Sequence, residues 1–407
     1  MIRPEDAWDL LEPHLAPLGS ETVGRRGAAG RVLAEALAAA LDVPGEDVSA
    51  VDGYALTEAP EVGRPLPVVG TIAAGDAPGF ELPAGTAARI MTGAPVPAAA
   101  RLVMMVEASD DGRSEVTFHR PAESSDHIRR RGEILRRGDR LLDPGALLTP
   151  GALALIATHG FGEVQVVRAP RVAVLATGDE VVPPDREPRP GQLRDSHTDF
   201  LLAAGAGLGL AFHSLGIAPD RLEELSALVA RGLESDVLLL CGGVSMGEYD
   251  LVEGVLGSLG CRLLFDAVAV QPGKPLVAAV HDRGLVFGLP GNPASVMVGF
   301  WLFVRPALRR LAGGVDGFWH GALAAELAGP LPGATGRDRF LPARVSFTAG
   351  GIRALPVSPR GSHDLAAYAH GTALLRVRAG SPPRQEGEPC EVLPLADWRG
   401  EQAIAGS

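Results

Sequence analysis

The sequence predicts a multidomain α/β protein. Its centre is a doubly wound, mostly parallel sheet, joined by an inserted all-β module, an N-terminal helical linker domain and a small C-terminal β-barrel. Three observations carry this. Apolar strand segments alternate with segments of helical period across 171–312, the pattern of a parallel sheet covered on both faces. Short alternating segments fill 60–145 and return over 320–397, as all-β units do. The 52 Gly and 34 Pro follow no fixed period, which marks many turns rather than collagen or disorder. The expected domains are 1–44 with 146–168, then 45–145, 169–315 and 320–397.

Two helices are expected first. Pro4-Glu-Asp-Ala-Trp-Asp-Leu-Leu has acids in its first turn and apolar residues at Ala7, Trp8, Leu10 and Leu11. The alanine-rich segment 30–41 is composed of good helix formers, and Asp42-Val-Pro-Gly stops it. In 47–55, Asp52-Gly53 is a turn signal compatible with a hairpin; Asp52 is either part of that turn or a carboxylate aimed at a site. The β-module follows, with strands at 66–72, 87–91 and 101–107 and Met91-Thr-Gly-Ala-Pro-Val-Pro97 between the last two. Near its end, Ile128-Arg-Arg-Arg-Gly-Glu133 with Arg136, Arg137 and Arg140 either holds an anion or forms a solvated face. A helix at 147–159 and a strand at 164–167 return the chain to the N-terminal helices.

The sheet domain begins with a strand at 171–176 running into Thr177-Gly-Asp-Glu180. A helix at 198–207 and a strand near 211–215 follow, and Asp220 is a suitable N-cap for a helix at 221–233. Next comes Asp236-Val-Leu-Leu-Leu-Cys-Gly-Gly-Val-Ser-Met-Gly-Glu-Tyr-Asp250, a buried strand breaking into glycines and then a polar loop. A helix follows at 251–259, an extended segment at 262–270, and a last strand at 285–288. Asn292 and Pro293 suit the cap and first turn of a helix to Leu311.

Three strand ends therefore carry polar, glycine-containing loops: 177–180, 242–250 and 288–292. A fourth loop, Gln271-Pro-Gly-Lys-Pro275, supplies Lys274. Ligands bind at the carboxyl ends of parallel strands. Glycine allows close backbone approach to a phosphate, and carboxylates beside one suggest a metal ion. Such loops converging on one sheet edge point to a phosphate-and-metal site.

The net charge of −12 argues against a nucleic-acid partner. Cys241, Cys261 and Cys390 form no C-x-x-C, so neither a zinc site nor a disulfide framework is expected, and a reducing cytoplasm fits. No leader-like apolar region precedes Glu5 and Asp6. The longest apolar region, 294–308, is broken by Gly299, Arg305 and Pro306, so no membrane span is expected. A polar tail follows Trp398.

Eight motifs in order, from Leu41-Asp-Val-Pro-Gly and Ser49-Ala-Val-Asp-Gly-Tyr-Ala to Pro272-Gly-Lys-Pro and Gly288-Leu-Pro-Gly-Asn-Pro, resemble the MoeA family. These are molybdopterin molybdenumtransferases, related to the C-terminal domain of gephyrin. The resemblance implies that the sheet domain is a molybdopterin-binding one and that the chain forms an elongated homodimer. It also implies insertion of molybdate into adenylylated molybdopterin with Mg2+-dependent release of AMP. A molybdopterin adenylyltransferase would then act upstream. By position, Asp179, Glu180 and Asp250 would hold the metal, with Asp220 nearby. Thr177, Gly178, Gly242, Gly243, Ser245 and Gly247 would face the pterin phosphate. Asp52 and Thr92 would reach in from the partner subunit. Lys274, Pro275, Ser295, Arg344 and Ser362 would border the molybdate pocket.

The sequence departs from the family pattern at several places. Ile134 stands where an Asp is common, and Gln271 replaces a Lys. His197 and His127 stand where the family has Asn, and 98–103 reads Ala-Ala-Ala-Arg-Leu-Val. Ile134 and Gln271 motivate an alternative, a catalytically impaired paralogue acting as a molybdopterin-binding scaffold. A nucleotide-acting adenylyltransferase is a third reading, which the inserted β-module disfavours.

Overall fold

The six-residue strand Val172–Thr177 is buried along its whole length and lies inside a six-stranded sheet. The order across that sheet is Phe212–Ala218, Val172–Thr177, Val237–Cys241, Gly284–Leu289, Pro275–His281, Arg262–Ala267. The computed structural model describes residues 1–77, 79–122, 126–243 and 251–395. The first four strands of the sheet run parallel and the last two join antiparallel. Alternate side chains enter two cores. Val172, Val174, Val237, Leu239 and Phe287 face one; Ala173, Leu175, Leu238, Leu240 and Val286 face the other. Helices cover both faces, so each central strand is apolar on both sides rather than alternating. Each of the valines, leucines and the phenylalanine contributes about 1.5–3 kcal/mol by burial.

Helix Pro4–Leu11 forms where expected, with Pro4 in the first turn and Ala7, Trp8 and Leu11 buried in the first core. His197–Gly207 adds Leu201 to that core, while Leu222–Gly232 and Leu251–Ser258 cover the second. Pro293 opens the helix that runs toward Leu311, but residues Phe300–Val304 form a π-helical turn. The Arg305 amide donates back to the Phe300 carbonyl. Pro306 has no amide hydrogen for the preceding turn, and the helix widens there.

Several expectations fail for identifiable reasons. The alanine-rich segment 30–41 is not helical. The Ala34 amide bonds the Gln165 carbonyl at 2.9 Å, and Val32 accepts from Val167 at 2.8 Å. Leu37–Ala38 pairs with Arg140–Leu142. Strand pairing overrides helix propensity here, as tertiary context commonly does. Asp52-Gly53 is not the tip of a hairpin, since Val48–Ser49 pairs with Ile128–Arg129 while Gly53–Leu56 lies between Ala87–Ile90 and Leu102–Met105. Asp220 does not cap the helix Leu222–Gly232, whose N-cap is Arg221. Asn292 occupies the N-cap position, but its side chain accepts no capping bond. Strand Pro275–His281 was not anticipated, because its Lys-Pro entry reads as a loop.

The last strands close a small barrel. Asp338–Thr348 pairs with Gly351–Pro356, which pairs with Leu323–Leu327, then Pro389–Pro394, then Ala373–Val377, which returns to Asp338–Thr348. Leu327, Leu341, Leu375 and Val392 fill it. Val270–Gln271, from the sheet domain, adds in parallel to its edge, with Val270 opposite Asp338 and Gln271 opposite Arg339. Buried Arg376 bonds Asp338 and Glu5 and lies over Phe318, Trp319 and Phe340.

By contacts, these sheet and barrel elements, with Met1–Thr22 and Gly30–Ala34, form one unit, and Val23–Ala29 with Glu35–Val164 forms a second. The second unit is built on a five-stranded sheet ordered Leu102–Met105, Gly53–Leu56, Ala87–Ile90, Pro65–Ile72, Glu115–Thr117. Tyr54, Met104 and Phe118 pack on one face, and Ala55, Ile72, Ile90 and Val103 on the other. Helix Pro150–Thr158 is capped by Thr149, which accepts from the Ala152 amide at 3.2 Å. Three arginines of the 128–140 segment are paired with carboxylates of the same unit. Arg130 pairs with Asp47 and Asp126, Arg131 with Asp42, and Arg140 with Asp143. No helix among the described residues is long and apolar enough to cross a membrane.

Candidate active site

The loop after Val172–Thr177 is folded by its glycine. Gly178 has φ +133°, and a Cβ there would lie 2.7 Å from the Glu180 carboxylate. The Glu180 side chain therefore folds over Gly178, a position only glycine allows without strain. Asp179 and Asp220 exchange bonds: the Asp179 amide donates to Asp220 Oδ2 at 3.4 Å, and the Asp220 amide donates to Asp179 Oδ1 at 3.2 Å. Two carboxylates on neighbouring strand ends are thus held side by side, and Asp220 serves this pairing instead of capping a helix.

The glycine pair after Val237–Cys241 packs against the same loop. Gly242 and Gly243 have φ +96° and +67°, and a Cβ on either would come within 3.0 Å of Thr177 or Val252 atoms. The Thr177 hydroxyl is buried and donates to the Cys241 carbonyl at 3.4 Å. Thr177, Gly178, Gly242 and Gly243 thereby bring two strand ends together. Ser245, Gly247, Glu248 and Asp250 lie outside the described residues, as does the polar tail.

A cleft of about 630 Å³ opens beside these loops, lined by Glu180, Gly242, Gly243, the 271–275 loop, Asn292, Ser295, Arg337, Arg339, Ser362 and Tyr368. It gathers residues from all four anticipated loops, with Lys274, Pro275, Ser295 and Ser362 of the molybdate set among them. The Ser362 carbonyl accepts from the Ala294 amide at 3.1 Å, tying the 359–362 turn to the helix that carries buried Ser295. Arg344 is not part of this lining; it lies exposed farther along the strand Asp338–Thr348. Arg337 and Arg339 enter instead, and sequence reasoning missed both. A signal was present: the chain has 37 Lys and Arg, and Lys274 is the sole lysine among them.

A second cleft, of about 570 Å³, is lined by Gly178, Asp179, Arg186, Asp195, Thr198, Asp199, Arg221 and Glu224 among others. Asp195 is buried and accepts from the His197 and Thr198 amides at 3.0 and 3.1 Å. The Thr198 hydroxyl is buried with no hydrogen-bond partner among the described residues. Burial holds the His197 imidazole below its ordinary pKa, against the pull of Asp195. The loop 178–180 thus contributes to both clefts.

In the second unit, Asp52 accepts from both the amide and the hydroxyl of Thr92, each at 2.7 Å. The Thr92 amide, then its hydroxyl, hold the Asp52 carboxyl below the usual carboxylate range. Ile134, where the resembled pattern has an acid, is an exposed apolar residue.

Among the described residues no group of three or more His, Cys, Asp or Glu is arranged to hold a metal ion. The linked pair Asp179 and Asp220 supplies hard oxygen donors, and a cation such as Mg2+ binds through one or two carboxylates, water and substrate phosphate. The donor set therefore fits a hydrated divalent cation.

Residues 2–160 match a family model described as the MoeA N-terminal region (domain I and II), 173–310 a probable molybdopterin binding domain, and 324–395 the MoeA C-terminal region (domain IV). A molybdopterin molybdenumtransferase of Staphylococcus epidermidis is 30% identical over 371 residues, covering 89% of this chain and 88% of that one. One from Nostoc sp. is 36% identical over 309 residues, covering 74% and 71%. A crystal structure of a molybdopterin biosynthesis MoeA protein from Pyrococcus horikosii superposes with a TM-score of 0.80 at 31% identity, covering 98% of this chain and all of the other.

Proposed function

The chain belongs to the MoeA family, and from that premise we propose that it is a molybdenum insertase of molybdenum cofactor biosynthesis, transferring molybdenum to molybdopterin. The observation that carries this is the first cleft. It joins the strand-end carboxylate of Glu180 and the Gly242-Gly243 turn to Lys274, Ser295 and Ser362, so a carboxylate, a glycine turn and a cationic pocket share one cavity. Relatives named as transferases give the scaffold alternative no support.

On this reading the substrate is adenylylated molybdopterin. Its phosphoanhydride lies at the loop 178–180, with one part of the molecule in each cleft. Asp179 and Asp220 would hold hydrated magnesium, which would neutralise charge on the phosphoryl oxygens, with Glu180 facing the first cleft beside them. Gly242 and Gly243 leave room for the pterin phosphate to approach the backbone. Lys274 offsets developing negative charge as the bond to AMP breaks, and it holds molybdate with the Ser295 and Ser362 hydroxyls. Asp52 and Thr92 would complete the site of a second copy in a homodimer. The reading also places the protein in the cytoplasm, downstream of a molybdopterin adenylyltransferase.

The test is direct. Purified protein given adenylylated molybdopterin, magnesium and molybdate is expected to release AMP and yield molybdenum cofactor that activates an apo-molybdoenzyme. Absence of AMP release, where a Staphylococcus relative works under the same conditions, overturns the reading.

A further inference from the structure

We propose that Arg339 is a specificity-determining residue of the first cleft: with Arg337 and Lys274 it forms a seat for a tetrahedral oxyanion dianion, supplying the guanidinium opposite neutral Gln271. The proposal rests on the transferase reading for the anion's identity as molybdate, and on the cleft alone for the seat.

The backbone register places the residue. Gln271 and Arg339 are direct partners where Val270–Gln271 joins the barrel edge. Both line the cleft, with Lys274 three residues beyond Gln271. The pairing thus sets a cation across from the neutral amide, with Arg337 just before the start of the same strand.

Charge makes the cleft unusual within this protein. Arg337, Arg339 and Lys274 form no ion pair among the described residues, whereas Arg168, Arg376 and Arg130 are each held by carboxylates. Glu180 is the only acid among the described lining residues. Three cations against one carboxylate leave a local excess of positive charge in a chain whose net charge is −12. Tyr368, also in the lining, donates to the Phe340 carbonyl at 2.9 Å, and burial pushes its phenol well above the usual value. It adds no negative charge to the seat.

The donors are fixed but not used up. Arg339 Nη1 donates to the Gly333 carbonyl at 3.0 Å, and Arg337 Nη1 to the Val270 carbonyl at 3.3 Å. A guanidinium has five N–H donors, so each is anchored by one and keeps others to offer. Arg339 Nε is buried without a partner among the described residues. A buried unmet donor is costly, and an oxyanion is the kind of acceptor that satisfies a guanidinium. The planar fork suits two oxygens of a tetrahedral anion, whereas the Lys274 ammonium acts as a compact point charge.

The sole lysine also provides the readout. Sodium molybdate alone is titrated calorimetrically into the full-length protein, and the rate of Lys274 acetylation is followed by peptide mass with and without molybdate. Arg339→Gln is expected to weaken molybdate binding by about 10- to 100-fold, as for loss of charge-assisted bonds. It should also abolish molybdate protection of Lys274. Gln271→Lys restores a cation directly opposite and is expected to rescue both readouts in the Arg339→Gln background, which a purely structural role for Arg339 would not produce. Arg339→Lys, which keeps the charge, should fall between parent and Arg339→Gln. The proposal is overturned if Arg339→Gln binds and protects as the parent does, or if Arg344→Gln is the variant that loses binding. Should the parent bind molybdate in this Arg339-dependent way yet release no AMP, the seat stands and the transferase reading falls. Should Arg339→Gln release AMP with the parent's molybdate dependence, the seat falls and the transferase reading stands.

Discussion

Asp179 and Asp220 each accept the other's backbone amide, at 3.2 and 3.4 Å. The two residues stand at the ends of neighbouring parallel strands, Val172–Thr177 and Phe212–Ala218. The exchange ties the two strand-end loops together and brings both carboxylates to one edge of the sheet. Carboxylates on adjacent strand ends are the hard oxygen donors that a hydrated divalent ion takes beside a phosphate.

Asp220→Asn separates position from charge. The asparagine carbonyl can still accept the Asp179 amide, so the loop is expected to stay folded and the thermal midpoint to change little. AMP release should nevertheless fall by about 100-fold, the scale of losing one preorganised electrostatic group. An unfolded Asp220→Asn, or one with parental AMP release at saturating magnesium, would contradict the assignment.

If each site draws Asp52 from the other copy, inactive variants should complement. Asp52→Ala and Asp220→Asn are each expected to be inactive alone. Unfolded and refolded together, they should regain about a quarter of parental AMP release, because half of a random dimer mixture is mixed and each mixed dimer holds one intact site of two. Activity that stays at the level of the separate variants would show that each copy builds its site alone.

Much of this arrangement was legible in the sequence. The central sheet was, because Val172–Thr177 and Val237–Cys241 are apolar on both faces and end in glycine-containing loops, a pattern that buried parallel strands require. The resemblance implied Lys274, Ser295 and Ser362, and all three line the cleft. What was not legible depended on partners distant in the chain. Segment 30–41 has helical composition, yet its Ala34 amide and Val32 carbonyl are taken by Gln165 and Val167. Asp220 has the composition of a cap, yet Asp179 claims its carboxylate. Arg339 was hidden for the same reason: only the parallel register of Val270–Gln271 with the barrel edge sets it opposite Gln271, and no local pattern encodes that pairing.

The glycine pair gives a steric prediction. A Cβ at Gly242 would sit 2.7 Å from the Thr177 carbonyl oxygen, with φ at +96°. Both the left-handed backbone and the backbone contact oppose a side chain, and Thr177 is fixed in the sheet. Gly242→Ala should cost at least about 2 kcal/mol, more than the left-handed conformation alone. A co-factor-independent measurement, denaturant unfolding, checks it. Gly254→Ala serves as the reference, since a Cβ there meets nothing within 4 Å and the residue lies in a helix; it should be neutral or slightly stabilising. Equal midpoints for the two variants would mean that the strand ends are not packed as described.

The start of strand Val237–Cys241 gives a pH prediction. Asp236 is buried and gripped by the Arg168 fork, with both nitrogens at 2.8 Å, and by the Arg171 amide at 2.7 Å. Burial alone would raise its pKa, but the Arg168 bonds and the Arg171 amide outweigh it and hold the carboxyl below its ordinary value. A group depressed in the folded state stabilises the protein above its unfolded pKa, about 3.9 for Asp. That contribution is lost as pH falls through the folded value. Asp236→Asn removes the charge and should cost about 2–3 kcal/mol at pH 7, the scale of hydrogen bonds to a charged group. Thermal unfolding of parent and variant from pH 7 to 3 should show a constant gap down to about pH 5 and convergence below pH 4. A gap that persists unchanged at pH 3 would mean that shape rather than charge makes Asp236 matter.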